Sequence, residues 1–139
     1  MQIERTLTII KPDAVRARKA GLIMAQLEAC GFEIVAIKKL TLTEAQARAF
    51  YSVHRERPFY SSLVAFMTSG PVIPMVLERE DAIACLRQAM GATNPAEAAD
   101  GTIRKLYGTD IEKNAVHGSD APATAAVERA FFFSALEQG

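Results

Sequence analysis

A chain of 139 residues, half of them hydrophobic, is long enough for one domain with a substantial core. Its 16 basic and 16 acidic residues cancel, which argues against a general binder of nucleic acids or of anionic membranes. The two cysteines, Cys30 and Cys85, lie far apart and lack histidine neighbours, so we expect reduced thiols and no zinc site. Neither a signal peptide nor a membrane-spanning run is visible, and we therefore expect a cytoplasmic protein.

The hydrophobic pattern predicts strands that alternate with helices. Leu7 and Ile9 alternate with threonines in a first strand that Pro12 ends, and Thr43 with Gln46 forms a capping-box pattern that opens a helix. The other predicted elements are a helix at 19–30, a strand at 32–40, helices at 43–51 and 59–67, a strand at 72–78, a helix at 80–90, a strand at 115–117 and a helix at 122–133.

This order favours an α+β domain in which helices cover an antiparallel sheet. The pattern alone leaves a small parallel α/β sheet open. Residues 91–113 carry Gly, Pro, Asn and Asp with little periodicity, which predicts a long loop of the kind that is usually functional. Pro74 lies inside the third strand and predicts a bulge or a later strand start, because proline lacks the donor that a sheet ladder needs.

The segment 114–120, with the sequence NAVHGSD, is the strongest candidate for a chemical site. His117 ends a short apolar run, and its neutral, nucleophilic form is populated at neutral pH. We expect Gly118 to leave room beside the ring, and Ser119 and Asp120 to cap a following helix whose N–H groups favour anions. This combination indicates phosphoryl chemistry. The alternative is a strand-to-helix turn with an incidental histidine.

Two cations also fit a phosphate site. Lys11 follows Leu7 and Ile9 at the strand period of two, so it shares their face and emerges at the end of the sheet. Arg87 falls on an apolar helical stripe, where a guanidinium needs a partner, and phosphate is a natural bidentate one. The structural alternatives are a lysine that extends to solvent at a strand end and an arginine at the edge of the stripe.

Five further side chains could contact a ligand, and some of them have an equally simple structural explanation. The Thr93 hydroxyl could donate to an oxyanion, and the Asn114 amide could contact a sugar hydroxyl. Phe59, after a proline, could stack on any base, or it could belong to the core. Tyr51 could line the site or point to solvent, and a lone loop arginine such as Arg104 is usually solvated.

The two remaining candidates are a glutamate that could bind the ring of His117 and a second histidine. Glu128 could fix the tautomer of His117 if the last helix packs back across the sheet. His54 lies among charged residues, and we expect it to be structural or solvated.

The NAVHGSD segment resembles the active-site signature of nucleoside diphosphate kinases. Five further blocks resemble that family in its own order, and together they cover about 3–133 of the chain. They are RTLTIIKPD at 5–13, VHRERPF at 53–59, FMTSGPV at 66–72, MGATNP at 90–95 and GTIR at 101–104. The resemblance implies a ferredoxin-like βαββαβ core with a four-stranded antiparallel sheet, a long nucleotide-site loop and a C-terminal helix. It also implies one domain over 1–139, with 134–139 as a short extension.

The resemblance further implies ping-pong transfer of the γ-phosphate of a nucleoside triphosphate, mainly ATP, through His117 to nucleoside diphosphates, which maintains NTP and dNTP pools. No GxxxxGK[ST] phosphate loop is present, so side chains would hold the phosphates. The implied catalytic residues are His117, Glu128, Lys11 and Ser119. The implied nucleotide-binding residues are Lys11, Tyr51, Phe59, Leu63, Arg87, Thr93, Arg104 and Asn114.

The implied cofactor is Mg²⁺ bound mainly through the nucleotide phosphates, without protein metal ligands. The implied assembly is a homo-oligomer, either a tetramer or a hexamer, that is built from dimers. The chain departs from the usual family pattern at Arg79, where the family commonly has a glycine in a turn, and at the apolar helix start 121–123. Two other interpretations remain: a non-catalytic nucleotide- or RNA-binding module, and a regulatory relative without turnover. Zero net charge counts against the first.

Overall fold

The computed structural model describes residues 2–139. Its strands are β1 (Ile3–Ile10), β2 (Glu33–Ile37), β3 (Ile73–Glu80) and β4 (Val116–Gly118). Its helices are α1 (Pro12–Arg16), α2 (Ala20–Ala29), α3 (Glu44–Phe50), α4 (Tyr60–Met67), α5 (Ala82–Met90), α6 (Ile103–Tyr107) and α7 (Pro122–Phe132). Single 3-10 turns lie at Ser52–His54 and Pro95–Glu97. Within the described range, no helix is long and apolar enough to cross a membrane.

The strands form one four-stranded sheet in the order β2-β3-β1-β4, with each neighbouring pair antiparallel. This is the ferredoxin-like βαββαβ arrangement, so the predicted α+β fold is confirmed and the parallel alternative is wrong. Strand β1 is central because it pairs along its whole length with β3 and, near its end, with β4. The end of β1 therefore lies beside the start of β4.

Helices cover both faces of this sheet and bury two hydrophobic clusters. Leu7 and Ile9 contribute to one cluster with α3, α4 and α7, while Ile10 contributes to the other with α2 and α5. Alternate residues of a strand point to opposite faces, which explains the division. Thr6 and Thr8 are buried as well, so both faces of β1 are covered.

Two short helices lie where the sequence pattern predicts none. The helix α1, which begins at Pro12, was not predicted. Residues 91–113 contain a 3-10 turn and α6, whose N-cap Thr102 accepts a hydrogen bond from the backbone of Lys105 at 3.4 Å. A five-residue helix lacks the two turns that a periodic pattern needs, which is why this segment looked like a loop.

The expected disturbance at Pro74 is also wrong. Strand β3 begins at Ile73, and Pro74 pairs in register with Ile9. The Pro74 carbonyl accepts a hydrogen bond from the backbone of Lys38 at 3.2 Å, just past the end of β2. Proline has no backbone N–H to donate, and Pro74 lies where the pairing of β2 with β3 ends, so no ladder hydrogen bond is lost within that pairing. The register shift in this part of the sheet lies in β2, between Ile34 and Ala36.

Arg79 lies in β3 and not in a turn. Its guanidinium donates to the carbonyl oxygens of Cys30 and Glu80, and it lies over the ring of Phe32 at 5.6 Å from the centroid. Because the last carbonyls of a helix lack partners within the helix, Arg79 satisfies one of those at the end of α2.

The last residues of the chain pack against its first strand. Arg5 donates to the backbone carbonyl of Gln138 at 2.8 Å, and Arg129 donates to the Gln138 side chain at 2.7 Å. Lys38 and Glu137 form an ion pair at 3.0 Å. These contacts hold 134–139 across the sheet beside α7.

Candidate active site

A cleft of about 480 Å³ opens where β1 ends and β4 begins. It is lined by the polar residues Lys11, Tyr51, His54, Thr93, Arg104, Glu112, Asn114 and His117. The apolar residues Phe59, Leu63 and Ile111 complete its wall. The cleft brings together every predicted nucleotide-binding residue except Arg87.

His117 lies on β4 opposite Ile9, and its ring is fixed by a carboxylate. The ring Nε2 is 2.8 Å from Oε1 of Glu128. The Ser119 hydroxyl donates to the same oxygen at 2.7 Å. Among residues 2–139, Nδ1 has no hydrogen-bond partner, so the free ring nitrogen is the one that faces a potential substrate. The predicted pairing of Glu128 with His117 is present in the structure.

Two aromatic rings confine the imidazole from the side. Phe50 and Tyr51 contact His117 edge-on, with centroids 5.5 and 6.2 Å away. Both rings sit at the end of α3, whose start is fixed by the capping box between Thr43 and Gln46. The predicted capping box is therefore confirmed, and the helix it starts delivers two rings to the site.

The expectations for Gly118, Ser119 and Asp120 are wrong. A Cβ at Gly118 would lie 2.6 Å from the terminal methyl of Met90, so this glycine allows close packing on α5 and does not make room for a ligand. The N-cap of α7 is Ala121, without a side-chain hydrogen bond. Because the hydroxyl of Ser119 is bound to Glu128, this residue positions the carboxylate.

Lys11 is buried at the end of β1 and is held by Asn114. Its Nζ donates to Oδ1 of Asn114 at 2.8 Å, and the Asn114 amide donates to the carbonyls of Thr93 and Ile111 at 2.9 and 3.0 Å. Burial, followed by the charge of Arg104, lowers the pKa of Lys11 from 10.5 to about 8. The site thus holds a cation whose charge is weakly compensated, which favours an anionic ligand.

Arg104 is a second buried cation. It donates to the carbonyls of Gly91 and Val116 at 3.0 and 2.9 Å, while its Nε has no partner among residues 2–139. Burial, followed by the charge of Arg87, lowers its pKa to about 10. Arg87 itself is exposed on α5, beside the buried Ile83, Leu86 and Met90 and outside the cleft walls.

Tyr51 carries a further unsatisfied polar group. Its side chain is buried, and within the described part of the chain its hydroxyl has no hydrogen-bond partner. Burial, followed by the charge of Glu128, raises the pKa of the phenol well above its ordinary value of 10.0. A buried hydroxyl without a partner is costly, and a ligand oxygen in the cleft would satisfy it.

A model of the family described as nucleoside diphosphate kinase matches residues 4–138. The chain belongs to the nucleoside diphosphate kinase family. A relative of that name from Persephonella marina is 58% identical over 137 residues, which cover 99% of this chain and 98% of the relative. One from Nitratidesulfovibrio vulgaris is 57% identical over 135 residues, covering 97% of each chain.

Solved structures agree. The chain superimposes on the Aquifex aeolicus nucleoside diphosphate kinase with a TM-score of 0.96 and 48% identity, covering 98% of this chain and 99% of that one. The halophilic enzyme from Halobacterium salinarum, in complex with CDP, gives a TM-score of 0.94 and 42% identity, covering 98% and 91%. The chain is thus an enzyme that transfers phosphate from nucleoside triphosphates to nucleoside diphosphates, and the non-catalytic interpretation is not supported.

The nucleoside diphosphate kinase cleft contains residues that sequence reasoning missed. His54, expected to be structural or solvated, is half-buried, stacks beside Tyr51 with ring centroids 6.5 Å apart, and also lines the cleft. Ile111 and Glu112 complete the wall, and no motif marks them. Phe59 is 47% exposed, so its interpretation as a core residue is wrong.

The backbone beside the kinase histidine is strained at Ala115. This residue has φ of 75°, and the backbone of Val116 donates back to the Asn114 carbonyl at 2.9 Å, which is a γ-turn of the rare kind. Asp13 accepts from the backbone of Ala115 at 3.0 Å, and Lys11 donates its backbone N–H to the Ala115 carbonyl at 2.8 Å. Such strain persists only where surrounding contacts enforce it, and it clusters at functional sites.

Proposed function

We propose that His117 is the group that carries the phosphate between nucleotides. The observation that carries the proposal is the contact between Nε2 and Glu128 at 2.8 Å, because it leaves Nδ1 as the free nucleophilic nitrogen. A single site that serves donor and acceptor in turn gives ping-pong kinetics.

In the first step, the Nδ1 lone pair of His117 attacks the γ-phosphorus of the triphosphate. The N–P bond forms, the bond between that phosphorus and the bridging oxygen breaks, and the nucleoside diphosphate leaves with the electron pair. The ring becomes positively charged, and the carboxylate of Glu128 stabilises it through Nε2–H. In the second step, the terminal phosphate oxygen of another nucleoside diphosphate attacks the phosphorus, the P–O bond forms and the N–P bond breaks, and the electron pair returns to Nδ1 of the neutral ring. No proton has to be moved.

The remaining residues bind and orient the nucleotide. We assign the phosphates to Arg104, Thr93, Tyr51 and the exposed Arg87, the sugar to Lys11 and Asn114, and the base to Phe59 and Leu63. Phosphoryl transfer depends mainly on positioning and on charge stabilisation, and the two buried cations Lys11 and Arg104 supply positive charge in the wall of the cleft. Ser119 orients Glu128 through their hydrogen bond of 2.7 Å.

We assign Mg²⁺ to the nucleotide phosphates. Within residues 2–139, no three His, Cys, Asp or Glu side chains lie together as a metal site. Since Mg²⁺ in phosphate-transfer sites keeps several waters and binds substrate phosphates, it needs few protein ligands. When bound, it neutralises phosphate charge.

Three broader assignments belong to the same proposal. The first is that residues 1–139 form one domain with 134–139 as an extension. The second is that the protein is cytoplasmic. The third is that it assembles as a tetramer or a hexamer built from dimers. The family match over residues 4–138 supports the first. Light scattering after size exclusion tests the last, and a monomer would contradict it.

Replacement of His117 by asparagine tests the central assignment. The variant should lose phosphate transfer between ATP and CDP by at least about four orders of magnitude, since a covalent nucleophile is removed. It should still bind ADP, because the cationic residues remain. Calorimetry measures binding, and a coupled assay measures transfer. Transfer at the wild-type rate would contradict the proposal.

A further inference from the structure

The turn that precedes His117 is held by the segment that follows β1. Ala115 is fully buried, and both of its backbone polar groups bond to that segment. Its N–H donates to Oδ2 of Asp13 at 3.0 Å, and its carbonyl accepts from the backbone of Lys11 at 2.8 Å. The φ of 75° at Ala115 is costly for a residue with a Cβ. These two hydrogen bonds therefore help to enforce a conformation that the residue disfavours.

The residues on either side of Ala115 make contacts that organise the site. The Asn114 side chain accepts from Nζ of Lys11 at 2.8 Å, and the carbonyl of Val116 accepts from Arg104 at 2.9 Å. The histidine is the next residue along β4. A change of φ at Ala115 rotates the chain before this residue against the chain after it. Such a rotation would displace the two cations relative to the imidazole.

Asp13 is placed at a cost to the folded protein. Its Oδ1 is buried and has no hydrogen-bond partner within residues 2–139. Burial raises the pKa of its carboxyl, so the ionised form is less favourable here than in water. A partly desolvated carboxylate with one oxygen unpaired contributes poorly to stability, and such groups are found where function requires them.

We propose that Asp13 is a positioning residue for phosphate transfer, because its hydrogen bond to Ala115 holds the γ-turn that sets the geometry of His117 relative to Lys11 and Arg104. A neutral acceptor of the same length would serve as well, since the backbone N–H needs an oxygen and not a charge. Without an acceptor, this N–H is buried unpaired, and the turn relaxes toward a negative φ. The inference rests on the proposed function, since it takes His117 as the nucleophile.

The test measures single-turnover phosphorylation of the full chain by saturating ATP with Mg²⁺. Unfolded molecules lower the amount of phosphate taken up, whereas a misplaced histidine lowers the rate constant, so the two effects are separated. Asp13→Ala should lower the rate constant about ten- to a hundredfold, because a small misplacement of reacting groups costs that much. Asp13→Asn should stay within about threefold of the wild-type protein, since its amide oxygen accepts the same hydrogen bond.

The conditions and the control isolate the hydrogen bond from the charge of Asp13. Measurements at about pH 6.5 keep Lys11 protonated when the neighbouring carboxylate is removed, because the pKa of Lys11 is about 8. The matched control is Asp100→Ala, which removes an exposed carboxylate outside the cleft and should leave the rate constant unchanged.

Two further variants test the route through the turn. Glycine adopts a positive φ without steric cost, so Ala115→Gly should restore part of the rate constant that Asp13→Ala loses. Asp13→Glu keeps the charge and moves the acceptor by one methylene, so it should be slower than Asp13→Asn. This last pair decides the question even where Asp13→Ala fails to fold.

Three results overturn the positioning role of Asp13. The first is an Asp13→Ala protein that takes up less phosphate at the wild-type rate constant. The second is an equal rate constant for Asp13→Asn and Asp13→Glu, and the third is a double variant with Ala115→Gly that is no faster than Asp13→Ala. A wild-type protein that takes up no phosphate overturns the proposed function itself, and the inference with it.

Discussion

Glu128 is placed where it can stabilise positive charge on the ring of His117, and its replacement by glutamine tests this role. The change keeps the size of the side chain and removes its charge. Hydrogen bonds to charged groups contribute about 1.5–3 kcal/mol, so kcat should fall about ten- to a hundredfold. Steady-state turnover measures it, with Glu97→Gln as the control of equal charge change. Wild-type turnover by Glu128→Gln would show that the carboxylate does not act on the ring.

The lowered pKa of Lys11 gives nucleotide binding a pH dependence with a definite sign. The ammonium is charged below a pKa of about 8 and neutral above it, so the affinity for ADP should weaken as the pH rises through that value. Bound phosphate favours the charged form and makes the decline gradual. Calorimetry between about pH 7 and 9.5 measures the trend.

Lys11→Arg is the matched control, because arginine stays charged throughout that range. Its affinity for ADP should change less with pH than that of the wild-type protein. Parallel curves for the two proteins would contradict the assignment of the pH dependence to Lys11.

Local sequence patterns single out polar residues that line the cleft, and they say little about what surrounds those residues. His117, Lys11 and Asn114 stand in recognisable blocks. Glu128 is eleven residues beyond His117, and only the packing of α7 decides that they touch. The role of Gly118 depends on Met90, which is distant in the chain, and nothing in the residue type of Ala115 predicts a positive φ. These features arise from tertiary contacts that a local pattern does not contain.

Helix α3 connects a local sequence signal to the site. The capping box satisfies two backbone donors, since Thr43 accepts from Gln46 at 3.1 Å and the Gln46 side chain accepts from Thr43 at 2.9 Å. Thr43→Ala should lower the free energy of unfolding by about 1 kcal/mol. Thermal or urea unfolding measures the change. The exposed Thr41 offers a control, and equal stability of Thr41→Ala and Thr43→Ala would contradict this account.

Long helices could be predicted from their hydrophobic pattern, whereas short helices could not. Long amphipathic segments such as α2 and α5 were placed within one or two residues. Helices α1 and α6 were missed because each has only five residues, which is too short for the helical period to appear. The second strand was predicted to continue to 40, whereas β2 ends at Ile37 and Leu40 forms an isolated bridge with Val72.

The order of strands in the sheet assembles the site. Lys11 follows β1, His117 lies on β4 and Glu128 on α7. The pairing of β1 with β4 and the packing of α7 against β1 bring these distant segments together. Strand order depends on long-range pairing, so the pattern of elements left a parallel sheet open. The family resemblance resolved that choice, and the antiparallel sheet confirms it.

The most direct test of the account is to mix the protein with γ-labelled ATP and Mg²⁺, isolate it, and add unlabelled CDP. We expect acid-labile, alkali-stable label on the protein, its transfer to CDP, and no label on His117→Asn. Folded protein that binds ATP without becoming labelled, or a labelled His117→Asn variant, would contradict a phosphate relay through His117.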